Sequence, residues 1–101
     1  MKRTFTFEFE EEDTNTLTYE CSFNEDEQLS TKLEDGMLTI CANQSGFMTL
    51  AKIVAKMALG SHKNGFHLHI QENFHEDLPD CLTLLLLDTN PIHGAPGSSR
   101  S

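Results

Sequence analysis

From residue 4 to residue 10 apolar and polar side chains alternate without a break. Phe5, Phe7 and Phe9 take one side and Thr4, Thr6, Glu8 and Glu10 the other, which is the period of a half-buried strand. After an acidic turn from Glu11 to Asn15, Leu17, Tyr19, Cys21 and Phe23 alternate with Thr16, Thr18, Glu20 and Ser22. The two runs predict a hairpin. Asn24 to Gly36 is polar and acidic, with Leu29 and Leu33 four residues apart, a spacing open to a short helix, and reads as a loop that meets the core twice. Met37 to Ala42 alternates again, Leu38, Ile40 and Ala42 against Met37, Thr39 and Cys41, and predicts a third strand.

The period then changes. Phe47, Leu50, Ala51, Val54, Met57 and Ala58 fall on one helical stripe within Asn43 to Gly60. Ser45 or Asn43 can cap its start, Gly60 can take a left-handed position just past its end, and Lys52 and Lys56 mark its solvent side. Beyond Gly65, Phe66, Leu68 and Ile70 alternate with His67 and His69 as a fourth strand, Asp77 to Asp80 turns around Pro79, and Leu82 to Leu87 is an apolar fifth strand. Residues 1–90 thus form a single α+β domain of order β-β-β-α-β-β. Residues 91–101, rich in Pro, Gly and Ser, form a disordered tail.

One amphipathic helix covers one face of an antiparallel sheet and leaves the other open. If the phenylalanines face the helix, the open face carries Thr4, Thr6, Glu8, Glu10, Thr18, Glu20, Thr39, His67 and His69. Either Leu84 and Leu86 or Leu85 and Leu87 join them and set an apolar strip in a polar surface.

Composition narrows what that face can meet. Sixteen Asp and Glu against seven Lys and Arg give a net charge of -9, which repels phosphate backbones and anionic lipid and attracts basic proteins. No apolar run approaches the roughly 20 residues that span a bilayer. The alternation from Thr4 to Glu10 is unlike a secretory signal, and Cys21, Cys41 and Cys81 form an odd, widely spaced set of free thiols. These features predict a cytoplasmic protein that needs no cofactor to fold.

His67 and His69 project the same way from one strand and could share a metal ion, with Glu72, His75 or His62 as further ligands. Two solvent-facing histidines on an amphipathic strand is the simpler reading. Cys41 with His67 or His69 is the one conceivable nucleophile and base pair, but a flat, solvated face neither activates a thiol nor holds an oxyanion. The acid runs from Glu10 to Asp13 and from Glu25 to Glu27 lack the alternating ligands and central glycine of a calcium loop.

The stretch from Gly65 to Asp77, Gly-Phe-His-Leu-His-Ile followed by Gln71 and the acidic Asn73-Phe74 loop, lies between the amphipathic helix and the strand from Leu82 to Leu87. In this order it resembles the bacterial immunity protein 32 family, over roughly Gly36 to Asp88. The resemblance implies a small cytosolic protein, encoded beside a contact-dependent or polymorphic toxin, that blocks the toxin by binding it. It departs from the pattern at Gln71, where an acid is expected after the second histidine. The combined reading is a non-catalytic binding protein for a basic partner, with Glu8, Glu10, Glu20, His67, His69, Glu72, Glu76 and Asp77 as its contact residues. The alternatives are a small metal-binding protein using the His-x-His strand and a homodimeric structural subunit joined through Leu82 to Leu87.

Overall fold

The computed structural model describes residues 1–11, 16–19 and 26–87. Its first ladder is built by Asp35 and Gly36, whose φ of 53° and 77° are both positive, as a two-residue hairpin turn of the primed kind requires. The turn joins β1, Leu29–Glu34, to β2, Met37–Ala42, with Leu33 opposite Leu38, Thr31 opposite Ile40 and Leu29 opposite Ala42. One face of this hairpin is therefore apolar apart from Thr31. The segment expected to be a loop up to Gly36 contains β1. Period two over Leu29, Thr31 and Leu33 prevails there over the four-residue spacing of the leucines.

Helix α1, Gln44–Leu59, begins at Asn43, whose Oδ1 accepts from Gly46 N at 2.8 Å and also from Gln28 N at 3.0 Å. Of the two possible caps, Asn43 is the one used, and it ties the approach to β1 to the helix start. That approach is close, because a Cβ on Gly46 would overlap the Gln28 carbonyl oxygen. Gly46→Ala is accordingly expected to cost about 1–3 kcal/mol, or several degrees of melting temperature for a domain of this size. An unchanged thermal melt would contradict the crossing. Gly60, which ends the helix, has φ of -75°. It is extended and not left-handed, and its lack of a side chain makes room for Glu11 Oε2 and His62 Nε2, each 2.8 Å from where a Cβ would stand.

Gly65, at φ of 88°, leads into β3, His67–Gln71, which pairs antiparallel with β4, Asp80–Leu85. Ile70 lies opposite Leu82 and Gln71 opposite Asp80, so Cys81 is an extra residue on β4, a bulge. Thr31 Oγ1 donates to the Cys81 carbonyl at 2.7 Å and joins the two ladders at that point. A 3-10 turn, Glu72–Phe74, connects β3 to the loop before β4, and Asn73 Oδ1 accepts from Leu29 N at 2.9 Å.

The class is α+β with antiparallel strands and one helix, and among the described residues the strands form two separate two-stranded sheets. The core is Leu29, Ile53, Ile70 and Phe74, with Leu50, Leu68, Leu82 and Leu84 packed around it. Helix α1 buries Gly46, Thr49, Ile53 and Met57. Of the expected stripe, Met57 is buried and Leu50 packs against the core, while Phe47 and Val54, 48% and 46% exposed, and Ala51 and Ala58 turn outward. Leu38 and Ile40, expected in the core, are also exposed, because the apolar face of the β1–β2 hairpin is covered at its Leu29 end and runs on past the core.

The N-terminal hairpin is likewise corrected, since residues 1–11 and 16–19 join no ladder. Residues 1–11 keep the expected alternation, yet the phenyl rings stack on one another, Phe5 on Phe7 at 6.2 Å and Phe7 on Phe9 at 5.8 Å between centroids, and Phe5 is exposed. Lys56 holds this segment to the helix, with Nζ 5.6 Å from the centre of the Phe9 ring and donating to Thr18 O at 2.6 Å. The second half of that hairpin, beyond Tyr19, and the tail expected over 91–101 lie outside the described residues. Among the described residues no helix is long and apolar enough to cross a membrane.

Candidate functional site

Strand β3 presents the histidines as its alternation requires. Ile70 is fully buried and Leu68 half-buried, while His67 and His69 are exposed, their ring centres 5.1 Å apart and their planes at 75°. Across the ladder stand Leu85, opposite His67, and Thr83, opposite His69. Leu85 and Leu87 are exposed and Leu84 packs inward, so the apolar strip of this outer face is the Leu85 one.

Besides His67, His69 has two polar neighbours on this face, both from β4. Its Nδ1 shares a 2.9 Å hydrogen bond with Thr83 Oγ1 and stands 3.7 Å from Asp80 Oδ2. Asp80 Oδ1 in turn accepts from Gln71 Nε2 at 3.0 Å. An acid was expected at position 71, next along β3 but one. Here Gln71 occupies that position, and Asp80, across the ladder, brings the carboxylate to His69. Sequence reasoning missed Asp80 because strand pairing, not proximity along the chain, puts it there.

Glu72, Glu76 and Asp77 border the same end of the sheet through the loop that follows β3. The loop is shaped by consecutive positive φ angles, 55° at Asn73 and 56° at Phe74. Asparagine tolerates that region, whereas for phenylalanine it costs about 1–2 kcal/mol. Burial of the Phe74 ring, edge-on to Tyr19 at 6.1 Å, opposes that cost. Glu72 N donates to Pro79 O at 2.9 Å and Asp77 N to His75 Nδ1 at 3.2 Å, which leaves Glu76 and Asp77 exposed at the tip.

Glu8 and Glu10 lie elsewhere. They are exposed and line a groove along α1 together with Phe7, Phe9, Lys52 and Lys56. Helix α1, along which that groove runs, packs through Ile53 against Ile70 on the inner side of β3, whereas His67 and His69 project from its outer side. Glu20 lies outside the described residues. The expected contact set thus divides into His67 and His69 on the outer side of β3, Glu72, Glu76 and Asp77 in the turn and loop that follow it, and Glu8 and Glu10 along α1.

His62, considered above as a metal ligand, is buried and stacked flat on Phe66, 4.0 Å between centroids, in a cleft of about 320 Å³ that Glu10, Glu11 and Lys56 also line. Among the described residues no group of three or more His, Cys, Asp or Glu side chains could hold a metal ion. Cys41 is exposed on β2, in the other sheet from His67 and His69. Cys81 is half-buried, and burial, reinforced by the charges of Glu72 and Asp80, pushes its thiol above the usual value. A raised value means less thiolate at pH 8, so a maleimide should label Cys41 well before Cys81 in a peptide-resolved mass-spectrometric time course. The reverse order would show that Cys81 is not shielded as described. No family model matches the chain, and no match to it is found among curated proteins or solved structures.

Proposed function

We propose that this chain is an immunity-type binding protein of the bacterial cytoplasm, without catalytic activity, that neutralises a cognate toxin by direct protein contact. The observation that carries the reading is the outer face of β3 and β4. There two exposed histidines and Leu85 form a small patch, Asp80 stands 3.7 Å from His69, and the loop that leaves the same strand carries Glu72 and the exposed acids Glu76 and Asp77. An apolar and aromatic centre rimmed by charges of one sign is the anatomy of a protein interface. The rim's sign, with the net charge of -9, suits a basic partner such as a nuclease toxin. The resemblance of Gly65 to Asp77 to the immunity protein 32 family points the same way, and those residues supply most of the patch.

The test is titration of the purified chain with the toxin domain encoded by the neighbouring gene. A complex of nanomolar Kd whose association slows as salt rises is expected, since steering by exposed charge is screened. Failure to bind any neighbouring toxin domain would remove the reading.

A further inference from the structure

His67 and His69 each commit one ring nitrogen to the fold. His67 Nδ1 lies 3.3 Å from the Gly65 carbonyl oxygen. A carbonyl only accepts, so that nitrogen carries the proton, and the lone pair of the neutral ring sits on Nε2. His69 Nδ1 meets Thr83 Oγ1 at 2.9 Å and stands 3.7 Å from Asp80 Oδ2. A hydroxyl can take either role, but the carboxylate draws the proton to Nδ1 and again leaves the lone pair on Nε2. Gln71 Nε2, which donates to Asp80 Oδ1 at 3.0 Å, holds that carboxylate in place. One ring nitrogen fixed by a carbonyl, hydroxyl or carboxylate, with the lone pair on the other, is how the fold prepares a histidine to bind a metal.

The separation of the rings fits the same use. One ion at about 2.0–2.1 Å from a nitrogen of each ring sets the ring centres about 4.5 Å apart at a right angle and about 5.2 Å apart at a tetrahedral one. The observed 5.1 Å lies within that span. Both rings are exposed on the outer side of β3, so an ion reaches them from solvent with no opening of the fold. A chain of net charge -9 also concentrates cations around it.

We propose that Nε2 of His67 and Nε2 of His69 chelate one divalent transition-metal ion, copper(II) or nickel(II), on the outer face of β3. Among the described residues no third His, Cys, Asp or Glu completes a larger ligand group, so water fills the remaining positions. Such an open site differs from the closed four-ligand sites of structural zinc. It selects the ions that gain most from imidazole nitrogen alone, copper(II) above nickel(II). The proposal rests on the two histidines and not on the toxin reading. A chain that binds nickel and no toxin, or toxin and no nickel, loses one conclusion and keeps the other.

The probe is nickel(II) chloride, because copper(II) would oxidise exposed thiols such as Cys41. Calorimetric titration of the full, untagged chain at about pH 7.5, where imidazole is largely neutral, should show one nickel ion bound per chain. His67→Ala and His69→Ala should each weaken that binding by about tenfold or more, since one imidazole is left to hold the ion. His75→Ala, in the loop beyond the strand, should leave it unchanged. In amide NMR spectra of the wild-type chain, paramagnetic nickel should broaden residues 67–69 and, across the ladder, 83–85 before any others. That spectrum locates the ion even if a histidine variant proves unfolded by circular dichroism. No binding by the wild type, full affinity in either folded histidine variant, an equal loss in His75→Ala, or broadening centred elsewhere would each overturn the proposal.

Discussion

Replacing Ile53 with alanine is expected to lower the unfolding free energy by about 2–5 kcal/mol, whereas Val54→Ala, the next residue along α1, should change it by less than about 1 kcal/mol. Ile53 is fully buried against Leu29, Ile70 and Phe74, and truncating it leaves a void that those neighbours cannot fill. Val54 is 46% exposed and gives up little burial. Urea unfolding of the two variants at the same pH decides between the phases of the helix. A larger loss for Val54→Ala would place Phe47, Ala51, Val54 and Ala58 in the core beside Leu50 and Met57, as the full expected stripe requires, and turn Ile53 outward.

That contrast also shows where the sequence was legible. The existence of α1 follows from a helical period across residues 47–58, and its capping from Asn43. Its phase follows only in part, because apolar residues cover more than one side: Leu50 and Met57 of the expected stripe are inside, Phe47 and Val54 of the same stripe are exposed, and Ile53, outside it, is fully buried. The buried stripe is completed by Gly46 and Thr49, a poor hydrophobic signal. Gly46 is inside because the chain near Gln28 crosses there, a tertiary fact that no local pattern contains.

Strand β1 was legible in principle. Asp35-Gly36 between alternating segments is among the strongest short-range hairpin signals. It was outweighed by the polar composition of the stretch and by the spacing of Leu29 and Leu33, which also suits a helix. The N-terminal segment shows the opposite case. Its alternation is the clearest in the chain, yet residues 1–11 join no ladder and stack their phenyl rings on one another instead. Period two describes an extended backbone with two-sided chemistry, and pairing is a further requirement that it does not guarantee.

Of the candidate site, the outward direction of His67 and His69 was readable from the alternation of β3. The contribution of Asp80 and the separation of Glu8 and Glu10 from the histidines were not. Both depend on how strands and helix stack.

The second large effect concerns binding, and the division of the acids between the loop after β3 and the groove along α1 makes it specific. Replacing Glu72, Glu76 and Asp77 with their amides should slow association with a basic toxin about tenfold at low salt and flatten its salt dependence, with little change in stability. The same change at Glu8 and Glu10 should do much less, because those side chains line the groove along α1. His67→Ala and His69→Ala should act mainly by speeding dissociation, as central contacts do. Stopped-flow association and dissociation rates separate the two kinds of effect. Equal slowing from the Glu8 and Glu10 pair would move the contact to the helix side.

The central claim, that this chain protects by binding through the outer face of β3 and β4, is tested most directly in cells expressing the neighbouring toxin. The wild-type chain and a variant with His67 and His69 changed to alanine and Glu72, Glu76 and Asp77 to amides are compared at equal, verified expression. Survival with the wild type and loss of protection with the folded variant is the predicted result. Equal protection by both would contradict the assigned face, and death with the wild type would contradict the immunity function itself.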